Sequence, residues 1–126
     1  MTTVLVVDDE ALIAMALQAA LEDEGYQVVT AANGRQGLER LAAIPRPELV
    51  LLDMMMPVMS GPEMLRTMQA DPALGAIPVI VLSSLPREAV QARTTGVAAI
   101  LRKPYTVNEV LGVIAQVLGQ AGENAR

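Results

Sequence analysis

Two hydrophobic periods alternate along this chain. Unbroken apolar runs stand at Val4-Leu5-Val6-Val7, Leu49-Val50-Leu51-Leu52, Val79-Ile80-Val81-Leu82 and Ala98-Ala99-Ile100-Leu101. Runs of this length fit strands buried on both faces. Between them, apolar residues recur at helical spacing. The pattern predicts strands over 3–7, 26–31, 48–53, 78–83 and 97–102, with Val28-Val29 at the centre of the second. It predicts helices over 10–24, 35–43, 61–70, 86–94 and 106–119. Ile13, Leu17, Ala20 and Leu21 share one face of the first helix, and Leu38 and Leu41 point inward from the second. Gly25 and Gly96 supply C-terminal stops, Pro45 and Pro47 end the second helix, and Pro62 falls where a first turn tolerates proline. Asp71-Pro72 closes the third helix. Residues 54–60 read as a loop.

Strands that alternate with helices over short loops imply an α/β fold with a parallel sheet covered on both faces. The expected architecture is a doubly wound (βα)5 sandwich of flavodoxin-like strand order 2-1-3-4-5. Residues 1–120 form one domain, and residues 121–126 are expected to be a flexible C-terminal tail. In such sheets ligands bind beyond the carboxyl ends of the strands, at the point where strand order reverses. The apolar runs stop there at Asp8-Asp9, Asp53, Ser83-Ser84 and Arg102-Lys103-Pro104.

Composition narrows the chemistry. The formal net charge is -5, and no basic stripe exists to neutralise nucleic-acid phosphates. The same charge disfavours anionic membrane surfaces. No cysteine and no histidine are present, so thiolate and imidazole metal sites are excluded. A bound metal has to be a hard, oxygen-seeking ion. The N-terminus lacks the basic segment of a secretion signal, and no apolar stretch reaches membrane-spanning length. A cytoplasmic protein is expected. With two tyrosines and no Phe or Trp, the core has to be aliphatic.

Each site residue also has an ordinary explanation. Asp8 and Asp9 can cap a helix, Asp53 can end a turn, Ser83 can cap the helix that follows, and Lys103 can be a solvated charge. Their common position argues for more. Adjacent carboxylates repel unless a cation lies between them, and Mg2+ is commonly held by one or two carboxylates with phosphate oxygens. A carboxylate such as Asp53 can also act as a nucleophile and form an aspartyl phosphate. Lys103 is the one lysine among nine basic residues, which suggests a place that needs a compact point charge.

Over residues 3–118 the chain resembles the receiver domain of two-component response regulators. The resemblance rests on Val6-Val7-Asp8-Asp9-Glu10, on Leu51-Leu52-Asp53-Met54-Met55-Met56-Pro57 with Gly61, on Val81-Leu82-Ser83-Ser84, and on Lys103-Pro104-Tyr105. It implies that Asp53 is the phosphoacceptor, taking its phosphoryl group from the phosphohistidine of a histidine kinase or phosphotransfer protein. It implies that Asp9, Asp53 and the Met55 backbone carbonyl bind Mg2+ directly, with Asp8 acting through a water. Ser83 matches the hydroxyl that moves toward the phosphoryl group, Lys103 its ion-pair partner, and the Lys103-Pro104 bond is expected to be cis.

Three positions depart from the family pattern. Ile100 stands where a rotating aromatic is usual. Met55 and Leu85 are apolar where polar residues often position the attacking water, so slow loss of the phosphoryl group is expected. The helices at 86–94 and 106–119 lack the charge array of DNA-binding regulators that dimerise there. On the first helix, Ala11, Leu12, Met15, Ala16 and Ala19 continue the apolar surface outward, either as an alanine-rich surface or as a kinase docking face. The surplus Val113 side of the last helix is a candidate output or weak homodimer patch.

These expectations describe a phosphorelay switch rather than an enzyme. Phosphorylation would alter the face built from the helix at 86–94, the last strand and the last helix, and so change the affinity of a downstream protein partner. With the chain ending near 126, no direct DNA or membrane binding is expected. Two alternatives remain at this level. One is a degenerate receiver used only for docking. The other is a small Mg2+ phosphohydrolase of the haloacid dehalogenase type, disfavoured because Asp8-Asp9 stands in place of that family's Asp-x-Asp.

Overall fold

Every residue of the apolar runs at 4–7, 49–52 and 79–82 is buried. The computed structural model describes residues 2–43 and 45–124. Those runs form β1 (Thr3–Val7), β3 (Leu49–Asp53) and β4 (Val79–Ser83). They lie at the centre of a five-stranded, all-parallel sheet of order β2-β1-β3-β4-β5, with β2 (Gln27–Ala31) and β5 (Ala99–Arg102) at its edges. This is the flavodoxin-like order expected from the hydrophobic pattern. The edge strands are only partly buried, as a strand with one free side must be.

Two cores cover the sheet. Leu17 and Leu21 of α1 (Ala11–Asp23) pack against one face, together with Val110, Ile114 and Val117 of α6 (Val107–Asn124). Leu41 of α2 (Gly34–Ala42), Met64, Leu65 and Met68 of α3 (Gly61–Gln69), and Val90 of α5 (Arg87–Arg93) fill the other. The buried residues of both layers are aliphatic, with Tyr26 and Tyr105 packed at the margin of the first. The inward face of α1 is Ala14, Leu17 and Leu21, with Ile13 and Ala20 at its margin.

Local signals explain most boundaries. Asn33 caps α2 by accepting the Gln36 N–H at 2.9 Å. Ser60 and Glu63 form a reciprocal capping box at the start of α3. Three expectations need correction. Asp71-Pro72 does not simply close a helix: Asp71 accepts the Ala73 N–H at 2.9 Å and starts a further short helix, α4 (Pro72–Gly75). The last strand begins at Ala99 rather than at 97. The last helix does not stop at 119 but runs to Asn124, so residues 121–124, read as tail, are helical, and residues 125–126 lie outside the described residues. Gly119 lies inside this helix, where a glycine costs only about 1 kcal/mol relative to alanine. Val113 is half-buried and leans on the core.

The loop between β3 and α3 is the tightest part of the chain. A Cβ on Gly61 would overlap the carbonyl of Asp53 and lie 3.0 Å from the Cα of Met54. Val58, by contrast, is a β-branched residue held at φ 68°, a conformation that costs L-residues about 1–2 kcal/mol. Two opposite outcomes are expected in urea denaturation. Gly61→Ala should lose about 2–3 kcal/mol through backbone overlap, whereas Val58→Gly should gain about 1 kcal/mol.

Candidate functional site

The carboxyl end of β1 turns into α1 through Asp8. Its N–H continues the sheet by donating to the Ala31 carbonyl at 3.0 Å. Its Oδ1 accepts the Glu10 N–H at 2.9 Å, which bends the chain toward the helix. Its Oδ2 is buried and has no hydrogen-bond partner. Helix capping thus accounts for half of this carboxylate. Asp9 is exposed, and the N-cap of α1 is Glu10, without a side-chain cap, so capping does not account for Asp9 at all.

Asp53 ends β3 beside β1 and is 7% exposed. Its Oδ1 accepts the Met54 N–H at 2.9 Å and the Lys103 Nζ at 3.3 Å. Oxygens of Asp8, Asp9 and Asp53 all lie within 4.8 Å of one another. Lys103, half-buried at the end of β5, reaches across β4 to lie 4.0 Å from Asp8 Oδ2 as well. The Lys103-Pro104 bond is cis. Ser83, at the end of β4, is buried, and its Oγ accepts the Leu85 N–H at 3.0 Å.

One ammonium therefore faces three carboxylates. Burial pushes the Asp8 and Asp53 carboxyls above the ordinary carboxylate range; Lys103 opposes this without overcoming it. Burial alone would lower the Lys103 ammonium, but Asp53 and Asp8 together hold it above its usual value. The excess negative charge and the orphaned Asp8 oxygen fit a hard divalent cation with oxygen ligands. Asp8, Asp9 and Asp53 are the side chains able to hold one. The Met54 carbonyl is taken by the Gly61 N–H at 3.0 Å, whereas the Met55 carbonyl accepts no hydrogen bond among the described residues.

A model of the response regulator receiver domain matches residues 4–115. The chain belongs to this family. Receiver domains act in phosphorylation-dependent two-component signalling. Protein PilH of Pseudomonas aeruginosa is 35% identical over 120 residues, covering 94% of this chain and 98% of PilH. A CheY-like receiver domain protein from Methanospirillum hungatei superposes with a TM-score of 0.89 at 25% identity, over 98% of each chain. The response regulator TrrA from Thermotoga maritima, solved in complex with Mg2+-BeF, superposes with a TM-score of 0.82 at 26% identity, over 93% of this chain and 99% of TrrA. The chain spans about half the length of several other curated relatives it matches, which are named as transcriptional regulatory proteins.

The five side chains singled out in the sequence fall at adjoining strand ends of this receiver domain. Contacts join Asp8, Asp9, Asp53 and Lys103; Ser83 lies at the next strand end, with no direct contact to Asp53 among the hydrogen bonds described. One surface was only half legible. A groove of about 410 Å³ runs between α1 and the start of α6, lined by Ile13, Ala16, Leu17, Pro104, Tyr105 and Val107, with Lys103 at its edge. The outward apolar positions of α1 hinted at it, but its second wall needed the fold. On α1 itself, Leu12 is 82% and Met15 63% exposed. No helix among the described residues is long and apolar enough to cross a membrane.

Two stability measurements test the electrostatics. A carboxyl whose pKa is raised in the folded state holds its proton more tightly there than in the unfolded chain. Stability then rises as pH falls from neutral through the raised values. Without metal, Asp53→Asn should exceed wild type in thermal denaturation at neutral pH by on the order of 1 kcal/mol, and the gap should close as pH falls. Mg2+ should stabilise wild type, by about 2.7 kcal/mol at a hundredfold excess over Kd, and should leave an Asp9→Asn/Asp53→Asn variant nearly unchanged.

Proposed function

We propose that the chain is a cytoplasmic phosphorelay switch in which Asp53 accepts a phosphoryl group from the phosphohistidine of a histidine kinase or phosphotransfer protein. The observation that carries this reading is the meeting of a buried acceptor carboxylate, a 3.3 Å ammonium and two further carboxylates at one sheet edge. In the transfer, an Asp53 oxygen forms a P–O bond while the donor's P–N bond breaks, and the imidazole leaves with a proton. Lys103 already stands where charge accumulates on the phosphoryl oxygens. Ser83 accepts the Leu85 N–H through Oγ and keeps its own O–H free to donate. Asp8, Asp9, Asp53 and the Met55 carbonyl would hold Mg2+, which when bound offsets the charge of the incoming phosphoryl group.

A macromolecular donor has to approach across apolar surface. Leu12 and Met15 stand exposed on α1, whose Ile13, Ala16 and Leu17 line the groove that borders Lys103. This supports α1 and the start of α6 as the kinase-docking side. The face made by α5, β5 and α6 is then left to signal to a downstream protein. The chain is a phosphoacceptor that assists its own phosphorylation and dephosphorylation, not an enzyme acting on other substrates. Neither direct DNA binding nor membrane binding belongs to this reading.

Met55 is 69% exposed, and Leu85 leans on the core. Neither side chain offers a polar atom to orient a water for attack on the phosphoryl group.

Intact mass after incubation with acetyl phosphate is the decisive experiment. One added phosphoryl group is expected with Mg2+, and none without Mg2+ or in Asp53→Asn. Absence of any adduct on wild type, with beryllofluoride also failing to bind, would overturn the assignment. The labelled protein should lose its phosphoryl group over minutes or longer; decay within seconds would contradict the role given to Met55 and Leu85.

A further inference from the structure

Ser83 and Lys103 are joined by more than adjacent strand ends. The Lys103 N–H donates to the Ser83 carbonyl at 2.8 Å. From Ser83 the chain runs through Leu85, whose N–H is held by Ser83 Oγ, and through Pro86 into α5. The first residue of α5, Arg87, turns back, and its Nη2 donates to the Ile100 carbonyl on β5 at 3.4 Å. From Ile100 the chain returns to Lys103. Covalent chain and hydrogen bonds thus close a ring through Ser83, Arg87, Ile100 and Lys103. It passes through the backbone of both residues whose side chains are expected to engage a phosphoryl group.

We infer that Arg87 is a positioning residue that closes this ring and couples the state of Asp53 to α5. The inference rests on Asp53 being the phosphoacceptor. Little else fixes this end of α5. The helix has seven residues, Val90 is its one buried side chain, and its N-cap, Pro86, makes no side-chain cap. Ile100 packs its side chain against the core, so it cannot act as a swinging lever. Its carbonyl carries the link instead. Arg87 has no carboxylate partner among the described residues, so the Ile100 carbonyl is the one partner found for its guanidinium. A pull on Ser83 or Lys103 then reaches α5 through backbone and hydrogen bonds, the Arg87–Ile100 bond at 3.4 Å being the longest, rather than through a rotating aromatic.

Amide hydrogen exchange on the full chain, with and without Mg2+ and beryllofluoride, tests this. Fluorine NMR of bound beryllofluoride reports occupancy of Asp53 separately. In wild type, occupancy should change exchange in α5 by about fivefold or more, the scale of one net hydrogen bond. Arg87→Ala should still take up beryllofluoride but lose the α5 response. Arg87→Lys, which keeps a donor, should restore much of it. An Arg87→Ala protein whose α5 responds as wild type does would overturn the inference, as would failure of lysine to restore more than alanine. No uptake by wild type would instead sink the phosphoacceptor reading. In that event the unliganded proteins still decide about the ring: unchanged exchange of the Lys103 amide in Arg87→Ala would refute it.

Discussion

A carboxylate taken out of water costs several kcal/mol unless positive charge compensates it. Here Asp8 and Asp53 are both buried at one sheet edge, with Lys103 as the cation within reach of both. One ammonium cannot balance two buried carboxylates and the adjacent Asp9. The site is therefore under electrostatic tension, and binding of cation or proton relieves it. That tension is the physical basis for reading the edge as a site rather than as a set of caps. It also explains why the surroundings are rigid: a relaxed loop would let the carboxylates separate into solvent.

The fold supplies that rigidity through its sheet. Three fully buried strands deliver Asp8, Asp53 and Ser83 to one level, and β5 brings Lys103 to the same edge. Parallel pairing fixes the register, since a one-residue slip would move every side chain to the opposite face. On the far side of Asp53, Gly61 allows the start of α3 to lie directly against the Asp53 backbone. The strain at Val58 lies within the same short loop, between a fixed strand end and a capped helix.

Much of this was legible because it is local. Unbroken apolar runs ending in Asp, Ser or Lys report both the strand and its functional end, and the alternation with helical spacing reports parallel topology. What was missed depends on distance or on weak signals. The turn at Pro72 looked like a terminator because proline ends helices, but it also begins them, and Asp71 supplied the cap. The end of the last helix was set five residues early, because no strong stop signal marks it. Val113 looked surplus on a helical wheel, yet it leans in part on the layer beneath α6. The groove beside Lys103 and the link from Arg87 to Ile100 join segments distant in the chain, which no window of sequence reveals.

Lys103 is the single lysine of the sequence, and its side chain is 21% exposed. Apart from the N-terminus, the primary-amine chemistry of this chain is therefore concentrated beside Asp8 and Asp53. Acylation of that amine would erase the positive charge and leave the acidic cluster with no ammonium. For this chain, any lysine modification falls on this one position, with no bystander lysines to dilute it.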